Sequence, residues 1–133
     1  MNREIKFRGK RVDNGQWVYG FVVINKDGTA WIKNTDYNVN NNRIDIIPYQ
    51  VHPETVGQYT GLKDKNKNEI YEGDVMYHES HEVATLVKWI DKFVCFAGES
   101  LEVAGTIYYY QSIDQRRLVI KGNIHDNPKL INK

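Results

Sequence analysis

Apolar residues in this chain recur with a period of two, in short runs broken by Asn, Asp and Gly, and no stretch carries the 3.6-residue period of an amphipathic helix. That pattern commits the chain to β-structure. Glu4-Ile5-Lys6-Phe7-Arg8 alternates polar and apolar as a half-buried strand does. Gln16–Ile24 is β-branched and aromatic, and Asp13-Asn14-Gly15 before it reads as a turn, because Asn and Gly tolerate positive φ at little cost. Lys26-Asp27-Gly28 predicts a hairpin linking Val18–Ile24 to Thr29–Lys33. Residues 34–43 crowd Asn34, Asn38, Asn40, Asn41 and Asn42 together and read as an exposed loop, since Asn side chains bond their own backbone in competition with regular structure. A strand Ile44–Ile47 follows and is stopped near Pro48.

The second half reads as further short strands: Gly57–Leu62, Val75–Tyr77, Val83–Ile90, Phe93–Ala97, Thr106–Tyr110 and Leu118–His125. Residues 99–104 and 112–117 have room for single helical turns. Strands spaced roughly eight to twelve residues apart belong to a sandwich or a barrel. The pair Gly73-Asp74 before Val75-x-Tyr77, then a strand ending Lys88-Trp89 and another from Phe93, is an opening common in SH3-like barrels. The expected fold is therefore mainly β: short antiparallel strands, with an N-terminal β unit over 1–55 and an SH3-like small barrel in the C-terminal half, 56–133, packed on it as one compact fold. No internal repeat is evident. The expected core comprises Phe7, Trp17, Tyr19, Phe21, Ile46, Val75, Val87, Trp89, Phe93 and Ile124.

Composition narrows the function classes. With 41% hydrophobic residues the chain has enough apolar surface to offset the entropy of ordering. A net charge of +1 gives no global field to draw it to nucleic acid or an anionic membrane. Its apolar runs are far shorter than a membrane span, so no membrane association is expected. A single cysteine, Cys95, cannot form an internal disulfide, and the N-terminus has no signal-peptide core. Both point to the cytoplasm.

Candidate chemistry is sparse. His78 and His81 flank Glu79 and precede Glu82, but a structural zinc site needs four clustered ligands, and His52 and His125 stand far off in sequence. The reading is a polar turn with no metal. Cys95, between Val94 and Phe96, reads as a small buried hydrophobe rather than a nucleophile. The segment Gly57–Asp64 lacks the spacing of a phosphate loop. Glu69, Glu72 and Asp74 read as a solvated acidic turn, with no partner to divide acid and base roles. No cofactor is expected, and the chain is not expected to be an enzyme. Tyr108-Tyr109-Tyr110 followed by Arg116-Arg117 sets aromatics near cations, with Tyr108 and Tyr110 on one strand face. Tyr108, Tyr110, Arg116 and Arg117 are the expected interaction surface, for a protein partner through hot-spot residues or for a nucleic acid through base stacking.

The block Pro53-Glu54-Thr55-Val56-Gly57-Gln58-Tyr59-Thr60-Gly61-Leu62-Lys63-Asp64, with its continuation Glu69-Ile70-Tyr71-Glu72-Gly73-Asp74-Val75, resembles the signature of the YopX family. Ile5-Lys6-Phe7-Arg8 is similar to that family's opening. Gly122-Asn123-Ile124-His125-Asp126-Asn127-Pro128-Lys129-Leu130 is similar to its close, with His125 where an aromatic more often stands. The resemblance implies a protein of phages and prophages of Gram-positive bacteria and a β-rich fold with an SH3-type component. It brings no activity and no catalytic residues. The Pro53–Asp74 block is expected to be a structural junction: Gly57, Gly61 and Gly73 change chain direction, while Gln58, Thr60 and Asp74 bond turn backbone. The leading expectation is a non-enzymatic module that binds an unknown protein partner or a second copy of itself. A nucleic-acid-binding β-barrel is second, because near-zero net charge supplies little backbone neutralisation. An enzyme is a distant third.

Overall fold

A computed structural model of the chain describes residues 4–110 and 115–131, with the backbone alone for residues 36–38. It is built from antiparallel strands and short 3₁₀ turns, and divides into two compact units, Met1–Gln58 and Tyr59–Lys133.

The first unit contains β1 (Phe7–Lys10), β2 (Trp17–Ile24), β3 (Ala30–Asn38) and β4 (Arg43–Val51), then a 3₁₀ turn (Pro53–Thr55) and the start of β5 (Gly57–Lys63). The four strands form a meander, and β5 returns antiparallel to β1, pairing Gly57 with Arg8 and Gln58 with Phe7. A lone bridge from Arg11 to Val51, with hydrogen bonds from Val12 N–H to the Gln50 carbonyl (3.0 Å) and His52 N–H to the Lys10 carbonyl (2.9 Å), ties the end of β1 to the end of β4 without closing a barrel. Thr55, buried, locks the 3₁₀ turn: its hydroxyl donates to the His52 carbonyl at 2.6 Å and accepts the Lys10 amide at 2.9 Å. Ala30, Ile32 and Val51 form the fully buried centre, packed by Phe7, Val18, Val22 and Val56.

In the second unit the rest of β5 pairs with β6 (Glu69–Tyr71), joining Tyr59 to Tyr71 and Lys63 to Glu69. There follow β7 (Asp74–His78), β8 (Val83–Ile90), β9 (Cys95–Ser100), β10 (Ile107–Tyr108), a 3₁₀ turn (Gln115–Arg117) and β11 (Leu118–Asn123). The sheet order is β10-β9-β8-β7-β11, and the sheet is open, so the closed barrel expected for this half is not formed. Its core is Ile70, Met76, Val87, Tyr110 and Leu118, packed by Leu62, Tyr108 and Ile120. The first unit and the β7–β11 part of the second share one strand order, a four-strand meander, a 3₁₀ turn and a fifth strand antiparallel to the first, although in the second β5 and β6 come before it and a further 3₁₀ turn (Asp91–Phe93) lies between β8 and β9. The sequence showed no such repeat, because the correspondence lies in pairing and not in residue types.

Three expectations are corrected. The Asn-rich stretch is not all loop: β3 runs to Asn38, and only 39–42 turn, with the Asn41 side chain accepting the Arg43 amide and Asn42 at φ 56. Pairing with β4 overrides the local preference of these residues, and the Asn34 amide donates to the Tyr19 carbonyl at 3.0 Å. Second, of the expected core, Val75 and Val87 are buried and Phe7, Trp17 and Ile124 are half-buried, but Tyr19, Phe21, Ile46, Trp89 and Phe93 are exposed. In β2 the inward set is Val18 and Val22, so Tyr19, Phe21 and Val23 take the other face. Phe93 lies in a 3₁₀ turn rather than a strand. Third, 101–104 hold bends and turns rather than helix, and of 112–117 the residues 115–117 form the 3₁₀ turn while 112–114 lie outside the described residues.

Candidate functional site

The tyrosines expected on the surface belong largely to the interior of the second unit. Tyr110 is buried, with its ring stacked on His78 at 6.2 Å. Tyr108 is half-buried between His78 (5.4 Å) and His81 (5.6 Å). Arg116 and Arg117 are exposed on the 3₁₀ turn before β11, so the four residues do not form one aromatic–cationic surface. The inward parity of β10 is set by Tyr108 pairing with Gly98 across from Val87, a register the sequence did not reveal.

His78 lies within this core. Its Nε2 is 2.8 Å from the Thr85 hydroxyl, while among the described residues its Nδ1 and the Tyr110 hydroxyl meet no partner at hydrogen-bonding geometry. Burial, with nearby His81 adding to it, pushes the His78 pKa down to about 4, so the ring is neutral at physiological pH. Burial likewise raises the Tyr110 pKa. Gly98 is required by this packing: a Cβ there would stand 2.4 Å from the Thr85 hydroxyl and 3.0 Å from that of Tyr110. A neutral imidazole on a hydroxyl could in principle act as a base, but this pair is sealed from solvent.

The Pro53–Asp74 residues bond backbone. Thr60 donates to the Ile70 carbonyl at 2.8 Å, and buried Asp74 accepts the Tyr71 amide at 2.8 Å. Gly61 and Gly73 adopt φ 89 and 92, values that favour glycine, and Gly73 bonds Val87 and Ile124 through its backbone. Gly57 and Gln58 form the β1 pairing. Asp64, one of the polar residues beside these glycines, is buried, and its carboxylate accepts the amides of Asn66, Asn68 and Ile120 at 2.9–3.1 Å. Asn123 plays the same part in the last turn, accepting the His125 and Asp126 amides.

His52 is exposed near Glu54, and Cys95 is a half-buried free thiol. Among the described residues no three His, Cys, Asp or Glu side chains stand together as metal ligands, and no helix is long and apolar enough to cross a membrane.

A groove of about 380 Å³ lies on the first unit, lined by Arg11, Val12, Asp13, Trp31, Pro48, Tyr49 and Gln50. It arises because the Arg11–Val51 bridge carries the turn after β1 alongside the end of β4, opposite Trp31 at the start of β3. The Arg11 guanidinium lies 4.4 Å from the Tyr49 ring centre and is held by Asp13 through bonds of 2.9 and 2.6 Å. That contact lowers the Asp13 pKa and raises that of Arg11. Beside the groove, the face of β2–β4 that bears Trp31 also presents Tyr19, Phe21, Val23 and Ile46 to solvent. The sequence signals for this site were Arg11-x-Asp13 and the aromatics Trp31 and Tyr49, which stand on neighbouring strands with side chains on opposite faces, Trp31 opposite Gln50 and Tyr49 opposite Ile32.

A family model described as "YopX protein" matches residues 6–132. No curated protein matches the chain. Among solved structures, the crystal structure of protein EF1440 from Enterococcus faecalis is similar, with a TM-score of 0.62 and 21% identity over 96% of this chain and 98% of that one. At that identity the similarity establishes the mainly β fold.

Proposed function

We propose, from the premise that this chain belongs to the YopX family, that it is a non-enzymatic protein-interaction module of phage or prophage origin, working in the cytoplasm and docking a protein partner on its first unit. The groove of Trp31, Pro48, Tyr49, Gln50 and the Arg11–Asp13 pair carries this reading. Aromatics and Arg dominate interface energetics, and an exposed apolar face beside a formed groove is the surface that binding modules display. The repeated order of meander, 3₁₀ turn and returning strand supports an SH3-like reading of each unit. The other groups with distinctive chemistry, His78 and Tyr110, are buried and serve packing.

A tagged pull-down from prophage-induced host cells tests the proposal when run on four forms of the chain. The parent and an Arg116→Ala/Arg117→Ala variant should retain the same captured protein, while Trp31→Ala and Tyr49→Ala should lose it and remain folded, with melting temperatures lowered by no more than a few degrees. Capture that survives both groove variants, or is lost with the arginines, would overturn the assignment of the site.

A further inference from the structure

We infer that the chain associates with a second copy of itself by pairing the outer edges of two β4 strands, antiparallel and two-fold symmetric, with Ile44 of one copy opposite Ile44 of the other. The inference goes beyond the docking groove and uses a different stretch of β4. Residues 34–38 of β3 and 43–47 of β4 pair with each other, and among the described residues no other strand pairs with either stretch. A two-stranded ribbon has little stability of its own in water, so a further strand laid along it adds support as well as contacts.

The backbone directions of β4 follow from one bond. The Gln50 carbonyl accepts the Val12 amide and so points away from β3. The register with β3 runs unbroken and backbone direction alternates along a strand, so Pro48, Ile46 and Ile44 turn their backbone groups to that same outer edge. Pro48 has no N–H and ends the pairing edge at one side. What remains is the stretch from Ile44 to Ile46, two side chains that are 67% and 63% exposed. Natural sheets blunt such edges with proline and with charges, lysine above all. Here the charges are Arg43 and Asp45, of opposite sign, two residues apart and on the face opposite the two Ile side chains, so they repel a second copy only in the wrong register.

That spacing selects the register. Outward-facing residues must oppose outward-facing residues, which leaves two-fold centres at Ile44, Asp45 or Ile46. A centre at Asp45 sets two carboxylates directly opposite each other, which is destabilising. A centre at Ile46 sets Asp45 against Ile47, and Arg43 against Tyr49, whose ring already carries the Arg11 guanidinium. A centre at Ile44 lets the two Ile44 residues exchange both backbone bonds. It also sets each Arg43 across from Asp45 of the other copy, at the closely spaced non-hydrogen-bonded positions. The edge of β3 offers no such match, because the sequence from Asn34 to Asn38 holds an acid, Asp36, and no cation. An interface this small makes the association transient and concentration-dependent.

Sedimentation velocity of the full chain over a concentration series tests the pairing. The parent should show a reversible monomer–dimer equilibrium. Asp45→Arg and Arg43→Asp each set like charges across the two-fold and should weaken it roughly tenfold. The double variant Arg43→Asp/Asp45→Arg restores opposite signs and should return dimerisation to the strength of the parent. Ile44→Pro removes an outward N–H and should abolish the dimer, with the melting temperature lowered by no more than a few degrees. A parent that stays monomeric up to about 1 mM, single charge variants that dimerise like the parent, a double variant as weak as the single ones, or a dimer that survives Ile44→Pro would overturn the inference.

Discussion

The two units share one order of strands but spend their large side chains differently. The second puts Tyr110, Met76, Leu118 and Ile70 inside and seals His78 and Thr85 among them. The first closes its centre on Ala30, Ile32 and Val51 and leaves Phe21, Ile46 and Ile44 each more than 60% exposed. Burial of apolar surface drives folding at about 25 cal/mol per Å², so an exposed Phe and two exposed Ile on one unit represent stabilisation forgone. The comparison teaches that topology does not decide which face of a sheet is the core; the residue parity within each strand does. It also separates the two surfaces, with the larger buried side chains in the second unit and the exposed apolar face proposed for docking on the first.

The sharpest way to break that division is a pair of truncations. Leu118→Ala, at a fully buried position, should lower stability by roughly 2–5 kcal/mol in urea unfolding. Phe21→Ser, on the exposed face, should stay within about 0.5 kcal/mol of the parent. Equal losses would erase the distinction.

Acid should act through the second unit. The folded state holds His78 neutral with a pKa near 4, while the unfolded chain protonates it near 6.5. Its contribution to stability is therefore level above about pH 6.5 and is lost progressively as pH falls to about 4, by about 3 kcal/mol in all. Unfolding free energies at pH 7, 5.5 and 4.5 should show this slope, and His78→Phe should flatten it. An unchanged slope in the variant would place the titration elsewhere.

A smaller effect is expected at Gly98. The clash of an added Cβ with Thr85 should cost roughly 1–3 kcal/mol in Gly98→Ala, and Thr85→Ser does not relieve it because the hydroxyl remains. Smaller again is Trp89→Ala. Its ring is 40% exposed and meets Phe96 edge-on at 5.0 Å, so the loss should be about 1 kcal/mol, measured as a fall of a few degrees in melting temperature.

The residue pattern conveyed the strands and turns because both are local. Asp13-Asn14-Gly15 and Lys26-Asp27-Gly28 make the turns expected of them, with the Asp27 carboxylate accepting the Thr29 amide. It did not convey parity. In Trp17-Val18-Tyr19-Gly20-Phe21-Val22-Val23-Ile24 both alternating sets are apolar, and size favours the set that proved to be outside. Nor did it convey the groove, since Arg11, Trp31 and Tyr49 are distant in sequence and line one groove only through the pairing of β1, β3 and β4. The burial of Asp64 was not legible, because a charged residue in a Lys- and Asn-rich turn normally faces water, whereas its three backbone bonds, one to Ile120 in β11, hold it inside.

Hydroxyl-radical footprinting of the intact chain in solution, with modification read residue by residue, tests the central claim most directly. The account predicts rapid modification of Phe21, Tyr19 and Trp31 and strong protection of Met76 and Tyr110, even though methionine is intrinsically the more reactive side chain. Protection of Phe21 and Tyr19 in the free monomeric chain, or oxidation of Met76 at the rate of an exposed methionine, would contradict it.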